Sequence, residues 1–328
     1  MSSTTLTTIQ DQLILFGYPT WMILGNIGNI FIIMIFIRYR HNACSIYILN
    51  LAIMDNLYLT FLSLTQIIPF SYKNITVYAL AYCKIRFYLT NIFGQVAKTM
   101  LVLSCIDRFM ITSDRASLRR FSTYKRAKFL IFFSIICWLL ICIHVPIMIT
   151  IVDGQCGMFG IYATIYNVYT IIFFSLIPSI LIGIFGYLTH RNMRHIRNRI
   201  QPSEHNVNNV IKRRDRELMV IIISEAFVYV VTATPYILVM IEMITSRYAL
   251  PNKSFQYLQI ELFIFNMSFL LLFLNNAAPF YIYLITSKSF RRDFKQLIFN
   301  FYQKIVKQPT VPVAFTTNQS LAQRDTRV

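Results

Sequence analysis

The stretch 83–109, CKIRFYLTNIFGQVAKTMLVLSCIDRF, decides how the rest of the chain is interpreted. It begins with Cys83, continues through a mostly apolar run and ends in Asp107-Arg108-Phe109. A helix rises about 1.5 Å per residue, which separates Cys83 from Arg108 by roughly 37 Å. That length matches a bilayer whose core and interfaces together measure about 40 Å. The stretch therefore predicts a membrane-spanning helix with a cysteine at one water interface and an acidic–basic pair at the other.

The composition of the whole chain also indicates a membrane protein. Of the 328 residues, 56% are hydrophobic and only 13% are charged. One soluble core could not bury that much apolar surface, so we predict an all-α protein with several membrane-spanning helices. The segment 1–11 is polar and lacks a basic start, so we expect no cleavable signal peptide.

Seven apolar stretches are long enough to cross a bilayer, which takes about 20 helical residues. Because backbone polar groups in lipid must be satisfied within the segment, runs of this length predict helices. The predicted spans are Leu15–Ile37, Ser45–Phe70, Phe87–Met110, Phe129–Val152, Ile161–Leu188, Leu218–Ile244 and Phe255–Ile285. The predicted domains are a short N-terminal segment (1–14), a seven-helix domain (15–286), an amphipathic helix (287–301) and a tail (302–328).

The distribution of lysine and arginine predicts the orientation of the chain. Most of the 31 basic residues lie at Arg108, in the loops after spans one, three and five, or in the tail. The opposite side carries Lys73, Lys84, Arg86, Arg247 and Lys253. The bias places the N-terminus outside the cell and the C-terminus in the cytosol, with the plasma membrane as the expected location. It also accounts for the net charge of +18 without nucleic acid as a partner.

The predicted outer segments contain two cysteines and two glycosylation motifs. Cys83 and Cys156 are the only cysteines expected on the oxidising side, and a disulfide between them would tie the top of span three to the loop after span four. Asn74 and Asn252 each begin an Asn-X-Ser/Thr motif in a short loop near the membrane. Both the glycosylated and the unmodified state remain open for these two asparagines.

The chain after span seven carries two further patterns. The segment 287–301, SKSFRRDFKQLIFNF, alternates apolar and basic residues at helical spacing, which predicts a helix lying on the inner leaflet of the bilayer. The last three residues, Thr326-Arg327-Val328, fit a peptide that adds a strand to the groove of a PDZ domain. Three residues match such a motif by chance often, so chance is the alternative.

Short motifs occur in a fixed order along the spans. They are GNIGN at 25–29, LAIMD at 51–55, Cys83, Asp107-Arg108-Phe109, Trp138, Pro178, Pro235, Asn275 and YIY at 281–283. The ordered set resembles the rhodopsin-like family of G-protein-coupled receptors, from span one through the amphipathic helix. The resemblance implies a receptor that binds an extracellular ligand and activates a heterotrimeric G protein.

The resemblance also implies a switch at the cytosolic ends of the spans. Arg108 is expected to contact the G protein in the active state, with Asp107 as its local partner. Asp215, at the inner end of span six, is predicted to pair with Arg108 at rest until a ligand moves span six outward. The alternative is that Asp215 is solvated among neighbouring basic residues. Tyr187 and Tyr283 stand near the positions of the family's tyrosines in spans five and seven, Tyr187 one residue late.

Ionisable side chains inside spans are costly and usually functional. Helical rise places Asp55, Lys98 and Glu225 at about the same depth. In the family, an acid like Asp55 binds sodium, but here Ala97 and Pro279 replace two of the oxygen-bearing partners, so Lys98 would supply the internal cation instead. The alternative is that Lys98 extends into a polar cavity without a fixed partner. The predicted polar layer consists of Asn29, Asp55, Lys98, Glu225 and Asn275.

The outer ends of the spans limit the class of ligand. Thr90 replaces the aspartate of aminergic receptors, and span seven lacks the lysine that holds retinal in opsins. Glu242 and Glu261 near Tyr236 would hold a cationic group beside an aromatic ring, which suits a short basic or amidated peptide and is similar to FMRFamide-type neuropeptide receptors. The alternative is ordinary interface tyrosines and solvated acids. The ligand-binding candidates are Gln66, Thr90, Asn91, Gln95, Tyr169, Tyr236, Glu242 and Glu261.

A transporter or channel and an enzyme are the alternatives to a receptor. In a seven-span transporter or channel, Asp55, Lys98 and Glu225 would form a relay, but transporters usually contain inverted repeats and the sequence shows no internal repeat. An enzyme is not expected, because the chain has no HExxH, P-loop or GxSxG motif. We therefore also expect neither a cofactor nor a bound metal.

Overall fold

The seven predicted spans are present in the computed structural model as helices long and apolar enough to cross a membrane. The structure describes residues 3–71, 80–152, 155–199, 206–250 and 253–306, and their side chains over 6–65, 80–152, 156–195, 216–250 and 253–304. The spans, labelled α1 to α7 in chain order, are Leu6–Tyr39, Ala43–Thr65, Leu80–Thr112, Tyr124–Met148, Gly160–His195, Arg216–Ala249 and Phe255–Ala277. Seven such helices agree with the predicted fold class, a seven-transmembrane bundle. Its orientation in the membrane stays a prediction.

Several spans are composed of more than one helical segment. The α-helical segments are Ser3–Gln12, Tyr18–Phe36, Ala43–Ser71, Leu80–Thr112, Ala116–Arg119, Tyr124–Ile141, His144–Met148, Gly160–Tyr169, Ile177–Arg199, Asn206–Ala249, Phe255–Ala277, Pro279–Thr286 and Lys288–Val306. Leu13–Gly17 and Thr170–Leu176 are π-helical, and Ile37–Tyr39 is a 3-10 turn. The strands Thr150–Val152 and Gln155–Gly157 pair antiparallel. The last helix, Lys288–Val306, is labelled α8.

The end of the fourth span differs from the prediction. The sequence predicted helix as far as Val152, but the helical residues end at Met148 and Thr150–Val152 forms a strand. In that strand Ile151 pairs with Cys156. The residues 149–152 are all β-branched, a class favoured in strands, and three of the four are apolar, so hydropathy did not distinguish them from the span.

The seventh span and the N-terminal segment also differ in their ends. The predicted continuous helix Phe255–Ile285 is interrupted at Ala278, and a new helix begins at Pro279. Proline has no backbone N–H for the helical ladder, but it is accommodated at the first position of a helix. At the other end of the chain, helix begins at Ser3, so most of the predicted 1–14 segment continues into α1.

Small residues allow α1 to approach the end of α7 closely. A Cβ atom on Gly25 would lie 2.9 Å from the Cα of Ala277, and one on Gly28 would lie 2.7 Å from the Cβ of Phe280. Such contacts are shorter than side-chain atoms tolerate, so these two positions require glycine. Close approach through small residues is a common way for membrane helices to pack without a hydrophobic driving force.

A helix follows the seventh span, although it is longer than the predicted 287–301. Its first turn is fixed by Glu217 of α6, whose Oε2 accepts a hydrogen bond from the Ser287 hydroxyl at 2.9 Å and another from the backbone N–H of Ser289. Phe290 and Leu297 are buried against the bundle. The location of α8 on the inner leaflet stays a prediction.

Candidate functional site

A disulfide ties one end of α3 to the two-stranded sheet. Cys83 and Cys156 are bonded, with their Cα atoms 5.9 Å apart. Cys83 is buried and packs with Val145 and Ile149 at the end of α4. The predicted disulfide is therefore present, and it fixes the strand Gln155–Gly157 across the end of the bundle that contains the cavities described below.

The opposite end of α3 contains a buried ion pair. Nη2 of Arg108 lies 3.1 Å from Oδ2 of Asp107 and 3.3 Å from Oδ1 of Asn42. The other carboxylate oxygen of Asp107 accepts a hydrogen bond from the Ser122 hydroxyl at 2.5 Å. Asn42 also accepts from the N–H of Cys44 at the start of α2, as helix-capping asparagines do. Sequence reasoning missed Asn42, although an asparagine just before a predicted helix is a recognisable capping signal.

Of the other predicted switch residues, the structure describes the side chains of Tyr187 and Tyr283 but not that of Asp215. Asp215 lies in the helix Asn206–Ala249, but its side chain is outside the described residues, so its pair with Arg108 stays a prediction. Tyr187 is 66% exposed, whereas Tyr283 is completely buried. The one-residue offset of Tyr187 places its ring on the outside of the bundle, away from the interior position that the resemblance implied.

Tyr283 lies in the helix Pro279–Thr286 and connects it to α6 and to α8. Its hydroxyl donates to Oε2 of Glu225 at 2.5 Å, and both side chains are buried. The ring packs edge-on against Phe290 of α8, with centroids 5.5 Å apart. The sequence placed Glu225 in the polar layer and Tyr283 in the switch, and the structure brings the two together.

Lys98 bonds to an amide, not to either acid of the predicted layer. Its Nζ donates to Oδ1 of Asn276 at 2.9 Å and lies 5.0 Å from the ring centroid of Tyr229. Ion pairs among the described side chains do not include Lys98. The backbone carbonyl of Asn276 accepts from Nδ2 of Asn29 at 3.2 Å. Sequence reasoning chose Asn275 and missed its neighbour, because two adjacent asparagines cannot be ranked without knowing which faces α3.

Three buried polar atoms of the layer have no hydrogen-bond partner within the described part of the chain. They are Oδ1 of Asn29, Oδ1 of Asp55 and Nδ2 of Asn275. Each unpaired buried polar atom lowers the free energy of unfolding, so the layer destabilises the bundle at these three atoms. The residues fit a sodium ion poorly, because Ala97 offers no oxygen ligand and Lys98 already brings a positive charge into the layer.

Two adjacent cavities lie at the disulfide end of the bundle. The inner cavity has a volume of about 230 Å³ and the outer one about 790 Å³. Both are lined by Phe87 and Tyr166, so they share a wall. Three of the predicted ligand-binding residues, Thr90, Asn91 and Tyr236, line the inner cavity. A hydrogen bond of 2.8 Å from Nδ2 of Asn91 to the hydroxyl of Tyr166 links α3 to α5 there.

The other candidate residues have different surroundings. Gln95 and Tyr169 line neither cavity. Gln66 has its side chain outside the described residues, and so do the glycosylation candidates Asn74 and Asn252. The residues 326–328, where a PDZ motif was predicted, also lie outside them.

The two acids expected to hold a cationic ligand do not line the inner cavity with Tyr236. Glu261 lines only the outer cavity, and its Oε2 lies 2.7 Å from Nζ of Lys253. Glu242 accepts a hydrogen bond of 2.5 Å from the Tyr257 hydroxyl and lines neither cavity. Neither of these two carboxylates therefore lines the cavity that contains Tyr236, because the rotation of each helix directs its carboxylate elsewhere.

Comparison with known proteins gives one family and two similar receptors. The family described as 7 transmembrane receptor (rhodopsin family) matches residues 28–283. C-C chemokine receptor type 1 of Homo sapiens is 34% identical over 97 residues, which cover 28% of this chain and 26% of that receptor. C-C chemokine receptor type 1 of Macaca fascicularis is 30% identical over 97 residues, with the same shares. The matched segment thus spans about a quarter of the length of these relatives.

Proposed function

Because the chain belongs to the rhodopsin family of seven-transmembrane receptors, we propose that it binds a short extracellular peptide and activates a heterotrimeric G protein at the plasma membrane. The observation that carries the proposal is the Asp107–Arg108 pair, buried at the end of α3 opposite the cavities. Two buried charges at a helix end are expensive, and a function that exposes them on activation explains their presence. Membrane anchoring alone would leave both charges in water.

The matched relatives support a peptide as the ligand, and the cavities have room for part of one. Their volumes of about 230 Å³ and 790 Å³ together match the upper range of small-molecule sites. The matched relatives are named for chemokines, which are polypeptides, and this supports the same ligand class. The FMRFamide-type subclass stays a prediction from the resemblance and is the alternative to the acidic peptide proposed below.

A transporter or channel is not favoured. The matched family is a receptor family. A proton or ion relay through Asp55, Lys98 and Glu225 would need these groups to contact one another, whereas Lys98 bonds to Asn276 and Glu225 to Tyr283. The polar layer is better explained as part of the contacts that hold α3, α6 and α7 at rest.

At rest, Arg108 is held by Asp107 and Asn42, and we expect Asp215 to complete the restraint from α6. Outward movement of α6 would then free the guanidinium for the G protein, an ordinary two-state switch driven by a ligand with higher affinity for the open state. The basic loops beside it would contact acidic lipid and the G protein.

The test is basal nucleotide exchange on purified G proteins by membranes that contain equal amounts of receptor. We expect Asp215→Ala to raise exchange and Arg108→Ala to lower it. Lys84→Ala is the matched control, because it removes a positive charge from the opposite end of α3, outside both cavities. Exchange that is the same for wild type and all variants, on every class of Gα subunit, would contradict the coupling proposal.

A further inference from the structure

The charge of the inner cavity differs from the sequence-based expectation. Its wall is largely aromatic and includes Tyr58, Tyr166, Tyr236 and Phe265. Among the residues that the structure describes there, Arg86 is the only charged one. The cavity therefore presents one positive group in an aromatic enclosure, where a cation-binding site would need an acid.

The guanidinium of Arg86 has no carboxylate partner among the described side chains. The ion pairs found there belong to Arg108, Lys253 and Arg292. Within the described part of the chain Arg86 makes one hydrogen bond, a long one of 3.5 Å from Nη1 to the carbonyl oxygen of Thr65. Its guanidinium also lies against the Phe87 ring, with Cζ 4.7 Å from the ring centroid, and near Tyr82. A half-buried guanidinium with such weak partners is costly unless an anion compensates it.

The outer cavity adds to the same polarity. Its charged lining consists of Arg247, Lys253 and Glu261. Glu261 pairs with Lys253 at 2.7 Å, so Arg247 has no carboxylate partner among the side chains that the structure describes. The described residues that line the two adjacent cavities thus have a net positive charge, and low-dielectric walls focus such a field and favour anionic ligands.

We propose that Arg86 binds a carboxylate of the ligand, with the adjoining aromatic or apolar part of the ligand against the tyrosines of the inner cavity and the remainder in the outer cavity. The planar guanidinium carries donors in a fork that matches the two oxygens of a carboxylate. The ligand is then a peptide with a free C-terminal carboxylate or an acidic side chain, rather than a basic or amidated one. The inference rests on the proposed receptor function for its biological meaning, but not for its test.

The test uses two probes that differ only at the terminal group, a carboxylate in N-acetylphenylalanine and a neutral amide in N-acetylphenylalaninamide. Each is titrated at up to millimolar concentration into the purified full-length receptor in detergent micelles, and binding is read from the shift in melting temperature. We expect the acid to bind at least about tenfold more tightly than the amide, which corresponds to one charge-assisted hydrogen bond. This comparison needs only the wild-type chain, so it does not depend on whether a variant folds.

Variants then assign the preference to one side chain. Arg86→Gln is expected to remove the preference for the acid, and Arg86→Lys to retain part of it. Arg247→Gln removes an equal charge from the outer cavity and is expected to leave the preference of this small probe above fivefold, about half the wild-type factor. Equal affinities for the two probes, a preference that survives in Arg86→Gln, or no shift with either probe would each overturn the proposal.

The outcome separates this inference from the receptor function. Probe binding requires no G protein, so a preference for the acid would stand even if no variant altered nucleotide exchange. Conversely, exchange that responds to Asp215→Ala and Arg108→Ala without any preference for the acid would leave the receptor proposal intact and refute the carboxylate site.

Discussion

The substitution Tyr283→Phe is expected to raise basal nucleotide exchange. In the structure the Tyr283 hydroxyl donates to Oε2 of Glu225 at 2.5 Å, which joins α6 to the helix Pro279–Thr286. Phenylalanine keeps the ring and its edge-on packing against Phe290, where the centroids are 5.5 Å apart. The substitution therefore removes one attachment of α6 and leaves the surrounding packing in place.

The magnitude follows from the strength of one buried hydrogen bond. Such a bond contributes about 0.5–1.5 kcal/mol, and more when one partner is charged. A bond of about 1.4 kcal/mol that exists only at rest changes the ratio of open to resting receptor roughly tenfold when it is removed. A receptor that is open about 1% of the time would then be open about 10% of the time.

The assay is the initial rate at which a purified heterotrimer takes up a labelled GTP analogue in receptor-containing membranes. Tyr281→Phe is the matched control, because it removes a hydroxyl two residues away that donates to the carbonyl oxygen of Leu24 at 3.2 Å and does not touch α6. We expect no change for this control. An exchange rate for Tyr283→Phe equal to or below that of the wild type, at matched receptor amounts, would refute the reasoning.

Two further substitutions test buried contacts through the melting temperature of the purified receptor. Asn276→Leu leaves the Lys98 ammonium without its acceptor and should lower the free energy of unfolding by about 2 kcal/mol, or the melting temperature by several degrees. Adding Lys98→Met to this variant should restore most of the loss. Strictly additive losses from the two substitutions would argue against the contact. Gly25→Ala would place a Cβ atom 2.9 Å from the Cα of Ala277 and lower the free energy of unfolding by about 1–3 kcal/mol. Gly183→Ala is the control, because a Cβ atom there meets open space. Equal melting temperatures for these two variants would contradict the close packing.

The number and order of the spans could be predicted because apolar length is a local property of the sequence. Their ends could not be predicted with the same accuracy. The mostly apolar residues 149–152 were assigned to the fourth span, yet Ile151 pairs in a strand with Cys156, which is itself bonded to Cys83. Hydropathy alone carries no information on such pairing.

The polar partners inside the bundle depend on helix rotation, which the sequence does not give. Lys98 was correctly identified as buried, but its acceptor, Asn276, lies 178 positions away and differs from Asn275 only in the direction it faces. A rotation of about 100° separates neighbouring residues on a helix. The same effect directed Tyr187 outward and moved Glu242 and Glu261 away from Tyr236.

The two buried glutamates of α6 have a consequence for how strongly different ligands would activate the receptor. Glu217 accepts hydrogen bonds from Ser287 and Ser289, and Glu225 accepts one from Tyr283. Three hydrogen bonds therefore hold α6 against the chain that follows α7. Outward movement of α6 would break these three hydrogen bonds together; at about 1.4 kcal/mol each the combined cost is about 4 kcal/mol, most of the 5.5 kcal/mol or so that takes a two-state equilibrium from 1:99 to 99:1. Agonist efficacy would then have a threshold: a compound that supplies half of this energy acts as a partial agonist, however tightly it binds.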